Sequence, residues 1–219
     1  MLGHYKEMIC WTLNSYKCKS KEDVYKTISI YDGDNLVGFL KPITYLYKRL
    51  RPQYISLICK WRQENPIGFA NVFQGTEEKT ENWLDNILLP REDRILFMIH
   101  NIDNTIIGHL GFSTFDFEYH SCEIDNVVRG VKEGNKGIMA MAMHTIMEWG
   151  RKNLNLRDIY LRVLSDNEHA IEFYKRMGFI KLYDIPLFKI ESPDFIEWVA
   201  LKDQNGRIPD RYYTYMRWK

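Results

Sequence analysis

The chain has 219 residues, 45% hydrophobic and 27% charged, with 30 basic against 29 acidic side chains for a formal net charge of +1. That balance predicts a globular core and excludes extended disorder, and it argues against a nucleic-acid binder that works by bulk electrostatics. No apolar run reaches the ~18 residues of a membrane span, and the start, MLGHYKEMICW, has no signal-peptide pattern, so a cytoplasmic protein without nucleic-acid or membrane partners is expected. The cysteines, Cys10, Cys18, Cys59 and Cys122, show no CxxC spacing, which predicts reduced thiols. A zinc site from Cys10, Cys18 and His4 is disfavoured, and no metal is expected.

Residues 1–42 read as an appended piece: a Lys-rich, weakly patterned start to about Asp23, then a hairpin. Its strands are Thr27–Tyr31 and Leu36–Leu40 around the turn Asp32-Gly33-Asp34-Asn35. Residues 43–219 read as the main domain. Pro52 suits the first position of a helix, and Tyr54, Leu57, Ile58 and Trp61 follow on one face until Asn65-Pro66. Residues 67–75 read as a loop. Thr76 is placed to cap a second helix, with Glu77 and Glu78 in its first turn and Pro90 after its end. Three strands joined by short turns follow, Arg94–His100, Ile106 to about Phe117 and Ser121–Val128, the first apolar on both faces and so central.

The stretch Glu123–Trp149 organises the chain. It begins as a strand, ends as the helix 138–152, and between them carries Gly130, Gly134 and Gly137. Free N–H groups at a helix start, with glycines that let backbone approach closely, make an anion site. A strand at Asp158–Val163 must run parallel to the one before the helix if the crossover is right-handed. Ser165-Asp166-Asn167-Glu168 reads as a capping box for a helix that Gly178 stops. Strands at Phe179–Phe188, Ile196–Leu201 and Arg211–Trp218 complete the order.

Two helices, an antiparallel meander and then β-loop-α-β-α-β-β resemble the GNAT superfamily of acyl-CoA N-acyltransferases over about residues 50–218. Gly134-Asn135-Lys136-Gly137-Ile138-Met139 falls where that family has Arg/Gln-x-x-Gly-x-Gly/Ala. Asn167-Glu168-His169-Ala170-Ile171-Glu172-Phe173-Tyr174-Lys175-Arg176-Met177-Gly178-Phe179 is similar to its N-x-x-A-x-x-x-Y-x-x-x-G-F. The resemblance implies an α/β (α+β) fold with a mostly antiparallel sheet, a splayed parallel pair and helices on both faces. It implies acetyl-CoA as co-substrate, with its pyrophosphate on Gly134–Met139, Asn167 at the same site, and Tyr174 as proton donor to the leaving thiolate. Gly134 stands where the family has Arg/Gln, with Lys136 able to supply the charge, and Met139 where a small residue is usual, which predicts crowding. The strand end Val127, Val128 and Arg129 offers main-chain partners to pantetheine, provided a bulge splays the strands. Glu123 and Asp125, two apart on one strand face, are both candidates for the base; His109 and His100 come after them.

The acceptor is expected across the sheet, against an aromatic and basic wall that includes Trp61, Arg62, Phe69, Phe73 and Tyr213. Aromatic rings stack on bases and sugars and arginine pairs with phosphate. Trp61-Arg62-Gln63-Glu64-Asn65 resembles family members that acylate amino sugars on nucleotide carriers, so that acceptor is expected first. A protein amine, and then a small antibiotic or polyamine, come next. A fold that binds acyl-CoA without turnover is the other class of reading, and a homodimer is left open.

Overall fold

The computed structural model describes residues 2–134, 136–193, 195–201 and 206–219, with the backbone alone at Leu2 and Phe73. Helix α1 (Leu2–Tyr16) opens the chain. Tyr5, Ile9 and Leu13, spaced four apart, form its inner stripe, and all three are buried. The weak patterning read for this segment is therefore corrected: a narrow stripe without capping residues is enough when the core lies beneath it. The hairpin of β1 (Ile28–Asp32) and β2 (Asn35–Pro42) follows as expected, and β2 pairs with β4, so the first 42 residues share the main sheet and core.

A short helix α2 (Tyr47–Leu50) leads into α3 (Gln53–Glu64). Residues 71–73, read as loop, form the short strand β3 (Asn71–Phe73), which pairs with β9 (Phe195–Val199). Thr76 caps α4 (Glu77–Trp83) by accepting the Lys79 N–H at 3.1 Å, and a π-helical turn, Leu84–Leu88, carries the chain onward. The meander is β4 (Ile95–Asn101), β5 (Ile106–Asp116) and β6 (Ser121–Arg129). Then come α5 (Ile138–Asn153), β7 (Asp158–Leu164), α6 (Glu168–Arg176), β8 (Phe179–Ser192), and finally β10 (Arg211–Trp218). Asn167, rather than Ser165, caps α6, with its side chain accepting the Ala170 N–H at 3.2 Å.

The described strands form one sheet in the order β1-β2-β4-β5-β6-β7-β10-β8-β9-β3. Among them β6–β7 is the only parallel pair, as a right-handed β6-α5-β7 crossover requires. One face carries α1, α5 and α6 over a core that includes Phe97, Phe112, Met143 and Met216. The other carries α2, α3 and α4 over a second core that includes Leu96, Met98 and Val128. Helices lie on both faces.

Candidate active site

The site begins where β6 and β7 part. Their pairing runs only from Ser121 opposite Asp158 to Glu123 opposite Tyr160. Beyond Glu123 the main chain of β6 has no partner on β7. The divergence has a local cause. Between the pairs His109–Val128 and Gly111–Asp125, β6 holds one residue more than β5, which makes a bulge. Asn126, in the bulge, takes φ +54, a left-handed conformation that asparagine tolerates better than most residues. Two contacts fix it. The Asp125 carboxylate accepts the Asn126 N–H at 2.6 Å, and the Asn126 carbonyl lies 2.6 Å from His109 Nδ1. An imidazole that meets a carbonyl must donate, so His109 carries its proton on Nδ1. It is 3% exposed, and burial lowers its pKa to about 4, so it is neutral.

The bulge turns the chain into the glycine loop. Arg129 folds back over it: Nε donates to the Val131 carbonyl at 2.9 Å, and Nη2 to those of Lys132 at 2.9 Å and Gly134 at 3.2 Å. In a trans peptide the next N–H points the opposite way, so the Lys132 and Glu133 N–H groups turn from the guanidinium. Gly134 and Gly137 hold φ +66 and +81. Gly137 is the N-cap of α5 with no side-chain cap bond, which leaves the first helical N–H groups for an anion. Lys136 is exposed beside them. The crowding expected of Met139 is corrected: its side chain turns into the core and is 7% exposed, so it does not face the loop. Asn135 lies outside the described residues.

Tyr174, on α6, belongs to the core under α1, α5 and α6 and is within electrostatic reach of Asp125. It is 8% exposed, with its ring edge-on to Phe173 and Phe179. Its hydroxyl has no hydrogen-bond partner among the described residues. Burial, and then the charge of Asp125, raise its pKa well above the usual tyrosine value. Asn167 lies about two turns earlier and is occupied as a helix cap.

The two candidate bases have different surroundings. Both oxygens of the buried Glu123 accept from Arg162, Nε at 2.8 Å and Nη2 at 2.7 Å. The Arg162 guanidinium also sits 5.5 Å from the ring centre of Tyr213. The Asp125 carboxylate is partly open and pairs with Arg94. Arg162 and Arg94 escape a sequence reading because their roles depend on strand register. Arg162 meets Glu123 because Glu123 pairs with Tyr160, two residues before Arg162 on the same face of β7.

On the acceptor side, Trp61 requires a correction. It is 1% exposed, its ring lies 6.0 Å from that of His109, and a Cβ on Gly130 would approach it to 1.8 Å. It is the support beneath the bulge and the loop, and it presents no face to a substrate. Arg62 donates to the Asn71 side chain and lies 4.1 Å over the Phe69 ring, so these two tie α3 to β3. Tyr213 lines the open sheet face, and the Phe73 side chain lies outside the described residues.

The sequence profile of the Acetyltransferase (GNAT) family matches residues 56–179, more than half of the chain. The chain belongs to this family. As a GNAT protein it is an acyl-CoA-dependent N-acetyltransferase, and acetyl-CoA is the family's co-substrate. Solved structures agree on the fold. The spermidine/spermine N-acetyltransferase SpeG from Vibrio cholerae, in complex with manganese ions, is 16% identical with a TM-score of 0.53, over 81% of this chain and 89% of that one. A mutant of the Vibrio cholerae spermidine N-acetyltransferase SpeG is 17% identical with a TM-score of 0.55, over 77% and 89%. A GNAT-family acetyltransferase from Bacillus anthracis is 15% identical with a TM-score of 0.58, over 88% and 97%. Comparison with curated proteins gives no match. No helix among the described residues of the GNAT chain is long and apolar enough to cross a membrane.

Proposed function

We propose that this enzyme moves an acetyl group from acetyl-CoA to the primary amine of a small molecule without a phosphate handle, the polyamines being the class to test first. The chemistry rests on one observation above all: the bulge at Asn126 accompanies the parting of β6 from β7, and the adjacent Asp125 carboxylate acts electrostatically on the partnerless Tyr174 hydroxyl. Acetyl-CoA supplies an activated thioester. The loop N–H groups around Gly134, Lys136 and Gly137, with the charges of Arg129 and Lys136, suit its pyrophosphate. The β6 main chain at Val127, Val128 and Arg129, unpaired with β7, suits the pantetheine amides, and an N–H there polarises the acyl carbonyl. Tyr174 keeps its proton at neutral pH and gives it to the departing sulfur.

For the base, Asp125 is the better reading. Glu123 has both oxygens occupied by the Arg162 guanidinium fork, so neither is turned to an incoming amine. Asp125, open on one side, takes the amine proton directly or through water. Replacing Asp125 with Asn should remove the acidic limb of the pH–rate profile, whereas Glu123→Gln should keep that limb and lower stability. The reverse pattern would transfer the role to Glu123.

The acceptor reading rests on charge. The arginines on this wall already have partners: Arg94 with Asp125, Arg162 with Glu123, Arg211 with Asp166, Arg217 with Asp158 and Arg62 with Asn71. A nucleotide diphosphate needs uncommitted guanidinium groups, and this argues against the nucleotide amino sugar expected first. The wall instead continues from Tyr160 into a stack with Tyr215 and Tyr183, with ring centres 5.0 and 4.8 Å apart. Aromatic faces hold alkyl chains and ammonium groups. The spermidine acetyltransferases among the structural neighbours support the same choice. A CoA-release assay over spermidine, spermine and a nucleotide-linked amino sugar tests it. Turnover of the polyamines with little on the amino sugar is expected; the opposite ranking would reverse the acceptor assignment. In the same assay Tyr174→Phe should lower turnover by roughly 10–1000-fold with acetyl-CoA affinity retained.

A further inference from the structure

A second cavity lies away from the acyl site, with two strands, β4 and β5, between β2 at its wall and the bulged β6. Its volume is about 90 Å³. Tyr25, Tyr47 and Tyr54, with Pro42 and Leu50, give it a mostly apolar lining, and Thr44 and Arg51 are its other members. The phenol protons are committed. Tyr25 donates to the Pro42 carbonyl at 3.4 Å and Tyr47 to Asp85 at 3.0 Å. Tyr54 meets His100 Nε2 at 2.9 Å, while His100 Nδ1 faces the Asn104 carbonyl at 3.3 Å. The rings therefore offer surface and few donors.

Arg51 is different. Its guanidinium donates to the neighbouring Leu50 carbonyl at 2.9 Å and also reaches the Tyr54 hydroxyl, which leaves the rest of its five N–H groups, and no carboxylate among the described residues pairs with it. The nearby cation is Lys41, whose amine bonds to the Asn104 side chain at 2.5 Å; the His100 imidazole beside it is neutral. Asp85, the acid behind Tyr47, is already paired with Lys48. A guanidinium with open N–H groups, a second cation near it, and an apolar recess of about three water volumes make a specific combination. It suits a small anion with a short hydrocarbon end. It is too small for CoA or a nucleotide, and its positive field disfavours an amine.

We propose that this cavity binds a short-chain monocarboxylate, with the carboxylate on Arg51 and the alkyl end among the three tyrosine rings. A ligand of so few atoms should bind in the millimolar range. Occupancy also touches the catalytic frame, because Tyr54 at the cavity and Trp61 beneath the bulge are two turns apart on α3.

The full chain, saturated with CoA so that the glycine loop is filled, should be titrated with propionate against chloride at equal ionic strength. The readout is the imidazole ¹⁵N–¹H resonance of His100, which bonds a cavity ring directly. A saturable shift with a millimolar midpoint is expected for propionate, with Arg51→Gln raising that midpoint at least tenfold. Tyr25→Trp, which fills the recess while keeping the guanidinium, should abolish it, and it stands in if Arg51→Gln fails to fold. An unsaturable response in the wild type, or an unchanged midpoint in both variants, would overturn the proposal. Inorganic phosphate with the same midpoint as propionate would also overturn it, because a plain anion site has no use for the apolar wall.

Discussion

His109 shows how much of this site depends on a single proton. It sits opposite the bulge, donates to the Asn126 carbonyl at 2.6 Å, and is backed by Trp61. Removing the donor leaves a buried carbonyl unsatisfied, at about 1–3 kcal/mol, and it releases the residue whose positive φ opens the strands. His109→Leu should therefore lower kcat/KM for acetyl-CoA by about tenfold or more, while His109→Gln, which can donate from its amide, should recover part of it. Equal activity in the two variants would show that ring packing, and not the hydrogen bond, holds the bulge. Gly130 belongs to the same stack. Any side chain there meets the Trp61 ring, so Gly130→Ala should cost about 1–3 kcal/mol in urea unfolding, the range for overpacking.

At the scale of elements, the splayed pair and the glycine loop were the readable part. The meander, the crossover helix and the α6 motif carry periodicity and glycine signals that act locally, so their order could be written down with small errors at the ends. What the sequence hid depended on long-range register. α1 has a stripe of only Tyr5, Ile9 and Leu13, which becomes meaningful once a sheet lies beneath it. β3 is three residues long and exists because β9 reaches it. Trp61, read as a substrate contact from its aromatic neighbourhood, is core, because α3 crosses the sheet directly under the bulge. Arg162 and Arg94 had no local signal at all. The loop itself gives a prediction that separates conformation from charge. Gly137 at φ +81 has only the flexible end of Met141 near its Cβ position, at 3.6 Å, so Gly137→Ala fails for backbone reasons. It should cost about 1–2 kcal/mol and weaken acetyl-CoA binding, whereas Lys136→Ala should weaken binding with unchanged stability and in a salt-dependent way. Calorimetric titration with acetyl-CoA at two ionic strengths, beside a urea melt, distinguishes the two.

The whole molecule should be acid-sensitive in a window of its own. His100 and His109 are both buried, and burial chiefly lowers each from 6.5 to about 4; Lys41 and Arg51 add to the effect at His100, while Asp125 opposes it at His109. Between those values the unfolded chain binds protons that the folded chain refuses, so stability is present above pH 6.5 and is lost as pH falls toward 4. At about 1.36 kcal/mol per pH unit each histidine costs the fold roughly 3 kcal/mol once the pH has fallen from neutral to about 4. The acids held low in the fold, such as Asp93 and Asp184, start from 3.8 and add their loss below that value, so the two windows separate. Urea unfolding at pH 7 and pH 4.5 should show a drop of several kcal/mol, and His109→Gln should remove about half of the difference. The location of the loss matters for function. One histidine supports the bulge and the other bonds Tyr54 at the wall of the Arg51 cavity, and α3 joins them through Tyr54 and Trp61. Protonation would therefore weaken α3 against the sheet at both ends before the carboxylates titrate. Acetyl-CoA bound at the bulge should shift the loss to lower pH by favouring the folded form. Adding it at a hundredfold excess over its Kd should recover about 2.7 kcal/mol at pH 4.5, and a smaller recovery would mean that the bulge is already altered in the folded protein at that pH.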